Sequence, residues 1–185
     1  MTDETKQAES LAHLSVDIAR RVQIKGVWLA KGDLSRSINR LDVPERIDLT
    51  TRAKTRHVFD NEAKDVSVFV SFLAAGNDKG KPEQDAVFHI ETTFVAHYHV
   101  AGDEECDATH VDAFARMNGI YNVWPYWREY LQSTLGRMGL PPIVLPALNL
   151  KAVERMAQIQ RDEEDGIANE ARRIAEHEVL ADQDV

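Results

Sequence analysis

The sequence predicts an α+β fold in which β-strands come first and helices follow. Strand-like segments fall between about residue 22 and residue 100, and in the last two of them apolar and polar residues alternate, the pattern of half-buried strands. From Asp107 onward, apolar residues recur at helical spacing instead. With 185 residues and 43% apolar composition, the chain can bury one hydrophobic core, so this order indicates a single α+β domain with terminal extensions.

The first elements are irregular. Residues 1–20 are predicted to form a helical lead-in, because apolar residues recur there at helical spacing: Leu11, Leu14 and Ile18. Residues 22–31 resemble a strand, and residues 32–45 are predicted to form a polar crossover loop. A second strand begins near Ile47 and Leu49. Its mostly polar composition and weak alternation predict that it lies at an edge of the sheet.

The next two strands have clearer patterns. Apolar residues alternate with polar ones from Val66 to Phe72, and the glycine- and proline-containing segment 76–82 predicts a turn into an antiparallel partner. Between residues 85 and 100 the alternation is strict, which predicts one packed face and one face in water. The packed face is predicted to carry Phe88, Ile90, Thr92, Phe94, Ala96, Tyr98 and Val100.

The last third is predicted to be helical. A break is expected at residues 122–125, because proline lacks the N–H that a helix interior uses. A second helical piece ends near Met138, where Gly139 supplies a stop. Asn149 is predicted to cap a last helix that reaches about residue 180 and is loosely attached by a thin apolar stripe. We therefore divide the chain into a lead-in (1–20), a core domain (21–150), and a C-terminal helix with an acidic tail (151–185).

Charge and cysteine content limit the partners and the compartment. A formal charge of −9 argues against nucleic acid, whose binding needs clustered Lys and Arg. One cysteine, Cys106, excludes an intramolecular disulfide and fits a reducing compartment. The polar N-terminus does not resemble a secretory signal, and no apolar run is long enough to span a membrane. We expect a cytoplasmic protein that does not insert into membranes.

Residues 124–153 are the most informative stretch, because an aromatic helix is followed by an apolar, proline-rich loop. Four aromatic side chains lie close together in the helix: Trp124, Tyr126, Trp127 and Tyr130. Successive helical residues are about 100° apart, so these rings cannot all face one side. The alternative is that they form the core face of a helix that packs on the sheet. We predict that at least one ring faces outward and that the stretch is a binding or assembly surface.

The sequence gives little support for an enzyme. His89, His97 and His99 share a strand face with Glu91, so a metal site is a remote alternative to a solvated sheet face. Acidic neighbours of Cys106 would suppress the thiolate that a nucleophile needs. Phosphate-binding loops and the common hydrolase motifs are absent from the sequence. We expect no catalysis and no cofactor.

Three motifs resemble the SecB export chaperones. Residues 125–129, PYWRE, are similar to that family's PYxRE signature. Residues 136–141, GRMGLP, and 145–150, LPALNL, follow at matching spacing and resemble its FP-x-L-x-LxPVNFxAL segment. The resemblance implies a four-stranded antiparallel sheet with helices on one face, assembled as a dimer of dimers. It also implies an ATP-independent chaperone that holds unfolded polypeptides.

The resemblance also suggests positions for binding. Apolar grooves would hold the client, and the candidate residues in this chain are Ile47, Leu49, Trp124, Tyr126, Trp127, Tyr130, Ile143, Val144, Leu145 and Leu148. Glu91 matches an acidic position with which the family contacts the SecA translocation motor. By contrast, the family's acidic residues on strand one have no counterpart in residues 22–29.

Three functions therefore remain open. The first is a holdase that binds unfolded or precursor polypeptides and delivers them for export. The second is a SecB-like chaperone dedicated to one partner, such as an antitoxin, which the missing acids on strand one favour. The remote third is a metal-dependent enzyme that uses His89, His97 and His99.

Overall fold

The computed structural model describes residues 10–37, 47–78, 86–102, 104–141 and 143–181. The remaining segments include parts of the predicted lead-in, crossover loop, turn and acidic tail, and lie outside this description. The strands are β1 (Val22–Arg36), β2 (Ile47–Asp60), β3 (Asp65–Asp78) and β4 (Phe88–Val100). The helices are α1 (Leu11–Ala19), α2 (Ala108–Phe114), α3 (Ile120–Arg137) and α4 (Leu150–Ala181), and a π-helical segment (Ala115–Gly119) joins α2 to α3.

The strands form one four-stranded antiparallel sheet in the order β1-β4-β3-β2. The predicted α+β class and the edge position of β2 are confirmed. Strand β1 forms the other edge. Each edge strand has one side without a neighbouring strand in the described part of the chain.

The alternation predicted for β4 is confirmed, and it defines the core. Every second residue from Phe88 to Val100 is buried, together with the matching side chains of β3. The helices pack on this face. Gly119 permits a close approach of the π-helical segment to β3, since a Cβ at that position would lie 2.6 Å from Val68 Cγ1.

The opposite face, called the open face below, has no helix over it in the described residues. Its central row runs across the sheet from Trp28 through Val95 and Phe69 to Arg56. The Arg56 guanidinium carbon lies 3.7 Å from the centre of the Phe69 ring, a cation–π contact that partly covers that ring. The histidines of β4 predict a polar, solvated open face, but three of the four residues in its central row are apolar.

The predicted boundary of the first strand is wrong. Residues 32–36 continue β1 and pair with the first half of β4. Irregularities in pairing occur between Ile24 and Gly26 and between Leu29 and Lys31. Each one shifts the side chains relative to simple alternation, so the period-two signal is lost although the strand continues.

The predicted break at residues 122–125 is also wrong, because α3 continues through Pro125. The residue four positions earlier, Tyr121, loses the hydrogen bond that a proline cannot donate. Both residues are exposed, so water can bind the released carbonyl. The irregularity lies earlier, in the π-helical segment.

The two predicted helix ends are confirmed. Gly139 has φ +67, and its N–H donates to the Gly136 carbonyl while the Leu140 N–H donates to the Leu135 carbonyl. This is the Schellman arrangement, which favours glycine because a side chain is strained at positive φ. At the start of α4, the side chain of Asn149 accepts a hydrogen bond from the Ala152 N–H at 2.9 Å.

Helix α4 is attached more firmly than predicted over its first third. Val153 and Ala157 are buried, and Gln160 is buried against β2. Arg116 then donates to Glu164 at 2.8 Å and fixes the next turn to the π-helical segment. From residue 161 to residue 171 every side chain is exposed, as the thin stripe predicted. None of the helices in the described ranges is long and apolar enough to cross a membrane.

Candidate polypeptide-binding surface

The aromatic helix contributes more to the core than the sequence suggested. Trp127 is fully buried and stacks on Phe72, with ring centres 5.2 Å apart and planes 4° from parallel. Trp124 is buried against the same phenylalanine at 5.9 Å. The interpretation of these two tryptophans as accessible client-binding residues is therefore wrong for this conformation, because they lie on the side of α3 that faces the sheet.

The other two rings lie at or beyond the edge of this core. Tyr126 is 49% exposed, which confirms that the four rings cannot share one face. Tyr130 is half-buried, and its ring centre lies 6.1 Å from that of Phe94. A Cβ on Gly32 would lie 2.9 Å from the Tyr130 hydroxyl, so this ring approaches β1 where β1 lacks a side chain. Tyr126 and Tyr130 remain accessible candidates.

The proline-rich loop is fixed to α3 rather than free. The indole N–H of Trp124 donates to the Pro146 carbonyl at 3.0 Å. Leu145 is buried, which removes it from the accessible candidates because it packs into the core. Ile143 and Leu148 are half-buried, whereas Val144 is 71% exposed. Among its candidate residues in the described part of the chain, the loop therefore exposes Val144 most.

The two candidates on β2 lie at the margin of the core. Ile47 and Leu49 are half-buried and pack against it. A Cβ on Gly76 would lie 2.8 Å from Ile47 Cγ2, so the glycine makes room for this side chain. Their exposed portions face the same side of the sheet as the helices.

Several exposed apolar residues were not among the sequence candidates. Four of them lie on the edge strand β1: Ile24, Trp28, Leu29 and Leu34. The sequence does show several large apolar residues within residues 22–36. Because of the two register irregularities in β1, however, the sequence does not indicate which of these residues share a face. Ile24, Leu29 and Leu34 pair with inward residues of β4 and so lie on the helix side, and Trp28 lies on the open face.

Two cavities lie among the exposed apolar residues. The larger, about 390 Å³, lies between α1, the π-helical segment and the start of α4, and its apolar lining includes Val16, Tyr121 and Leu150. The second, about 220 Å³, lies between β2 and α4 and is called the β2–α4 cavity. The first lies at the lower end of the ~300–1,000 Å³ of typical small-molecule sites and the second lies below it, so each has room for one or a few side chains.

Residues 22–29 carry no acid, but the part of β1 that follows them does. Because β1 extends to Arg36, Asp33 falls directly opposite Glu91 on the open face. Both residues are exposed. Like charges placed directly opposite destabilise a sheet, and a basic partner would relieve that repulsion.

The three histidines of β4 do not form one site. His89 lies eight residues from His97, about 27 Å along an extended strand, so these two cannot hold the same ion. Within the described ranges, no group of three or more metal-ligating side chains could hold a metal. His99 Nδ1 instead lies 2.9 Å from Asp65 Oδ1, and His97 Nε2 lies 3.4 Å from Asp65 Oδ2.

These histidines lower the pKa of Asp65, chiefly through the hydrogen bond from His99 and further through the charge of His97. The carboxylate thus favours the folded state above its ordinary pKa of 3.8, and this contribution is lost as the pH falls through the lower folded-state value. We expect an NMR titration of the Asp65 carboxyl carbon to have its midpoint below 3.8.

Replacing both His97 and His99 with glutamine should move that midpoint back toward the ordinary value. His89→Gln is the matched control, since it changes the same residue type on the same strand far from Asp65. An unchanged midpoint in the double variant would contradict this explanation.

The fold and this surface define the class of the molecule: an α+β protein with apolar residues exposed along a sheet edge and in two small cavities. No protein-family model matches the chain. The SecB-like chaperone MT2006 of Mycobacterium tuberculosis (strain CDC 1551 / Oshkosh) is 26% identical over 166 residues. The SecB-like chaperone Rv1957 of strain ATCC 25618 / H37Rv is 24% identical over 166 residues. Each match covers 80% of this chain and 90% of the relative.

A solved structure has the same fold: Mycobacterium tuberculosis Rv1957 SecB-like chaperone in complex with a ChAD peptide from Rv1956 HigA1 antitoxin. The TM-score is 0.66 at 19% identity, and the match covers 74% of this chain and 97% of that chain. These comparisons confirm the resemblance found in the sequence motifs. The chain is SecB-like in sequence and in fold.

Proposed function

We propose that this chain is a chaperone that holds a polypeptide client without nucleotide, and that its client is a dedicated partner such as an antitoxin. The observation that carries the proposal is the sequence similarity to SecB-like chaperones across most of both chains. A structure with this fold, that of Rv1957, contains a peptide from an antitoxin, which favours a dedicated partner over general export.

The surface supports a polypeptide client. Its apolar residues lie apart from one another, on the β1 edge, on Tyr126, on Val144 and around the two cavities. Separate small contacts, each weak, fit a segment of chain that touches several of them at once. Such binding can be tight in sum and still be released stepwise.

General export is the second candidate, and one observation favours it. The pair formed by Asp33 and Glu91 places two exposed acids side by side on the open face, where a basic surface such as that of a translocation motor could dock. As further parts of the proposal, the chain would assemble as a dimer of dimers in the cytoplasm and catalyse no reaction. Native mass measurement tests the assembly.

Affinity capture from the source cell separates the two candidates. A dedicated chaperone would retain one dominant small protein, whereas an export chaperone would retain many precursors together with the motor. The double variant Asp33→Asn/Glu91→Gln should lose only the motor. If the captured proteins are many and the motor is among them, the dedicated role is excluded.

The β2–α4 cavity provides a sharper test of client binding. Ile159 is 50% exposed and lines the cavity, while Ile167, on the same helix and 70% exposed, does not. We expect Ile159→Ser to weaken binding of reduced, carboxymethylated α-lactalbumin, an unfolded probe, by about 1–2 kcal/mol, because an apolar contact is lost. Ile167→Ser should leave affinity unchanged.

Fluorescence anisotropy of the labelled probe measures both affinities. Circular dichroism of each variant would verify that the fold is retained. Equal affinities for the two serine variants would remove the cavity from the client-binding surface.

A further inference from the structure

One row of residues across the open face carries opposite charges at its two ends. The row runs from Asp33 on β1 through Glu91 and Leu73 to Arg52 on β2. Asp33, Glu91 and Arg52 are exposed. With two strands between them, Asp33 and Arg52 are about 14 Å apart at the backbone, since neighbouring strands lie about 4.8 Å apart. The row is therefore acidic along β1 and β4 and basic along β2.

A third cavity, of about 280 Å³, opens at the basic end of this row. Its lining includes Arg52 and Lys54 of β2 and Ser71 of β3, and Glu91 lies on its far side. Two cations and a hydroxyl group favour a carboxylate, which can accept hydrogen bonds from all three. The basic end of the row therefore has room for an acidic side chain.

The central row of the open face also has complementary ends. Trp28, at the β1 end, is 50% exposed, and its ring centre lies 6.4 Å from that of His97. Arg56, at the β2 end, is exposed and covers Phe69 with one side of its guanidinium group. Tryptophan is the preferred ring for a cation–π contact, and the planar guanidinium group stacks on aromatic faces. A second Trp28 ring would therefore fit the solvent side of Arg56.

A two-fold axis that runs parallel to the strands, between β4 and β3, makes this face complementary to itself. It places each row over the same row of a second copy and reverses the order of the strands, so that β1 lies over β2. Asp33 then faces Arg52 and the cavity of the second copy, and the two ends of the central row face each other. The same operation brings Lys31 near Lys54, but Glu163, whose Oε2 lies 3.0 Å from Lys54 Nζ, offsets that repulsion.

We propose that the open face binds the open face of a second copy in this orientation. The two sheets lie about 10 Å apart, as packed sheets do. The contact uses the face without helices and involves no client, so it goes beyond the proposed function and does not depend on it. It covers Asp33 and Glu91, so a second copy and a basic partner at these acids exclude each other.

Reversal of charges, followed by sedimentation velocity of the full chain, tests this contact. At one protein concentration, Arg52→Glu and Asp33→Arg should each lower the mass of the particle to about half or less of that of the unaltered chain, because each places like charges opposite one another. An equal mixture of the two variants should restore the mass. In that mixture one acid–base pair keeps its sign and the other is reversed as a whole. Restoration between two separate proteins cannot arise from a contact within one chain.

Arg161→Glu is the matched control, because it makes the same change in charge on the exposed part of α4, away from the open face. It should leave the mass unchanged. Trp28→Ser should lower the mass as the charge reversals do, because Arg56 of the second copy loses its ring. Circular dichroism of each variant verifies that the fold is retained. Equal masses of the unaltered chain and both charge-reversed variants, or a mixture that keeps the lower mass, would overturn the inference.

Discussion

Replacing Trp127 with alanine is expected to lower the free energy of unfolding by about 3–5 kcal/mol, the usual cost of removing a fully buried aromatic side chain. The ring stacks on Phe72 in the centre of the helix–sheet contact, so its loss leaves a cavity that rigid neighbours cannot fill. Urea denaturation followed by circular dichroism measures the change.

Tyr126→Ala is the control for this experiment, because it removes the neighbouring aromatic side chain from an exposed position. Its expected cost is below about 0.5 kcal/mol, as for most surface substitutions. Similar losses in the two variants would show that Trp127 does not have the packing described here. The pair thus separates a ring that supports the fold from one that is available for binding.

Replacing Gly76 with alanine is expected to cost about 1–3 kcal/mol through overpacking. An added Cβ would lie 2.7 Å from Phe88 Cζ and 2.8 Å from Ile47 Cγ2, and the Phe88 ring is buried and cannot move aside. The displaced Ile47 is also a candidate client-binding residue, so client affinity should fall together with stability.

Gly136→Ala provides the opposite result from the same chemical change. Gly136 is exposed in α3, and nothing lies within 4 Å of an added Cβ. Alanine there should stabilise the protein by about 0.5–1 kcal/mol, because glycine is a poor helix former. Thermal unfolding of both variants measures the two shifts. A loss of stability in Gly136→Ala, or none in Gly76→Ala, would contradict the packing.

The parts of the fold that the sequence predicts are those with a strong local signal. Strand β4 has apolar residues on one face only, so its period survives along its whole length. Gly139 and Asn149 end and begin helices by geometry that is local to a few residues. The sequence predicts too short a strand β1, because Gly32 and Asp33 suggest a turn. In the structure, pairing with β4 extends the strand past these two residues. The paired residues are far apart in the sequence, so the pairing cannot be predicted from the residues of β1 alone.

The site was predictable only in outline. Composition indicates that residues 124–153 contain more aromatic rings than one face of a helix can bury. Which ring is buried depends on how α3 rotates on the sheet, and that rotation is fixed by tertiary contacts such as Trp127 on Phe72. The burial of Gln160 could be predicted from the sequence, because it follows Val153 and Ala157 at helical spacing and so lies on the same buried face of α4. Its partner on β2, 105 positions away, could not be read from the sequence.

The π-helical segment, Ala115–Gly119, acts as a spacer that sets the relative rotation of two helices. Such a wide turn amounts to one additional residue, which turns everything after it by about 100° relative to an uninterrupted α-helix. That offset lets Phe114 lie on Tyr98 while Trp127 lies on Phe72 of the adjacent strand. Deleting one residue from this segment would leave the helical content unchanged. Only one of the two aromatic contacts, Phe114 with Tyr98 or Trp127 with Phe72, could then form.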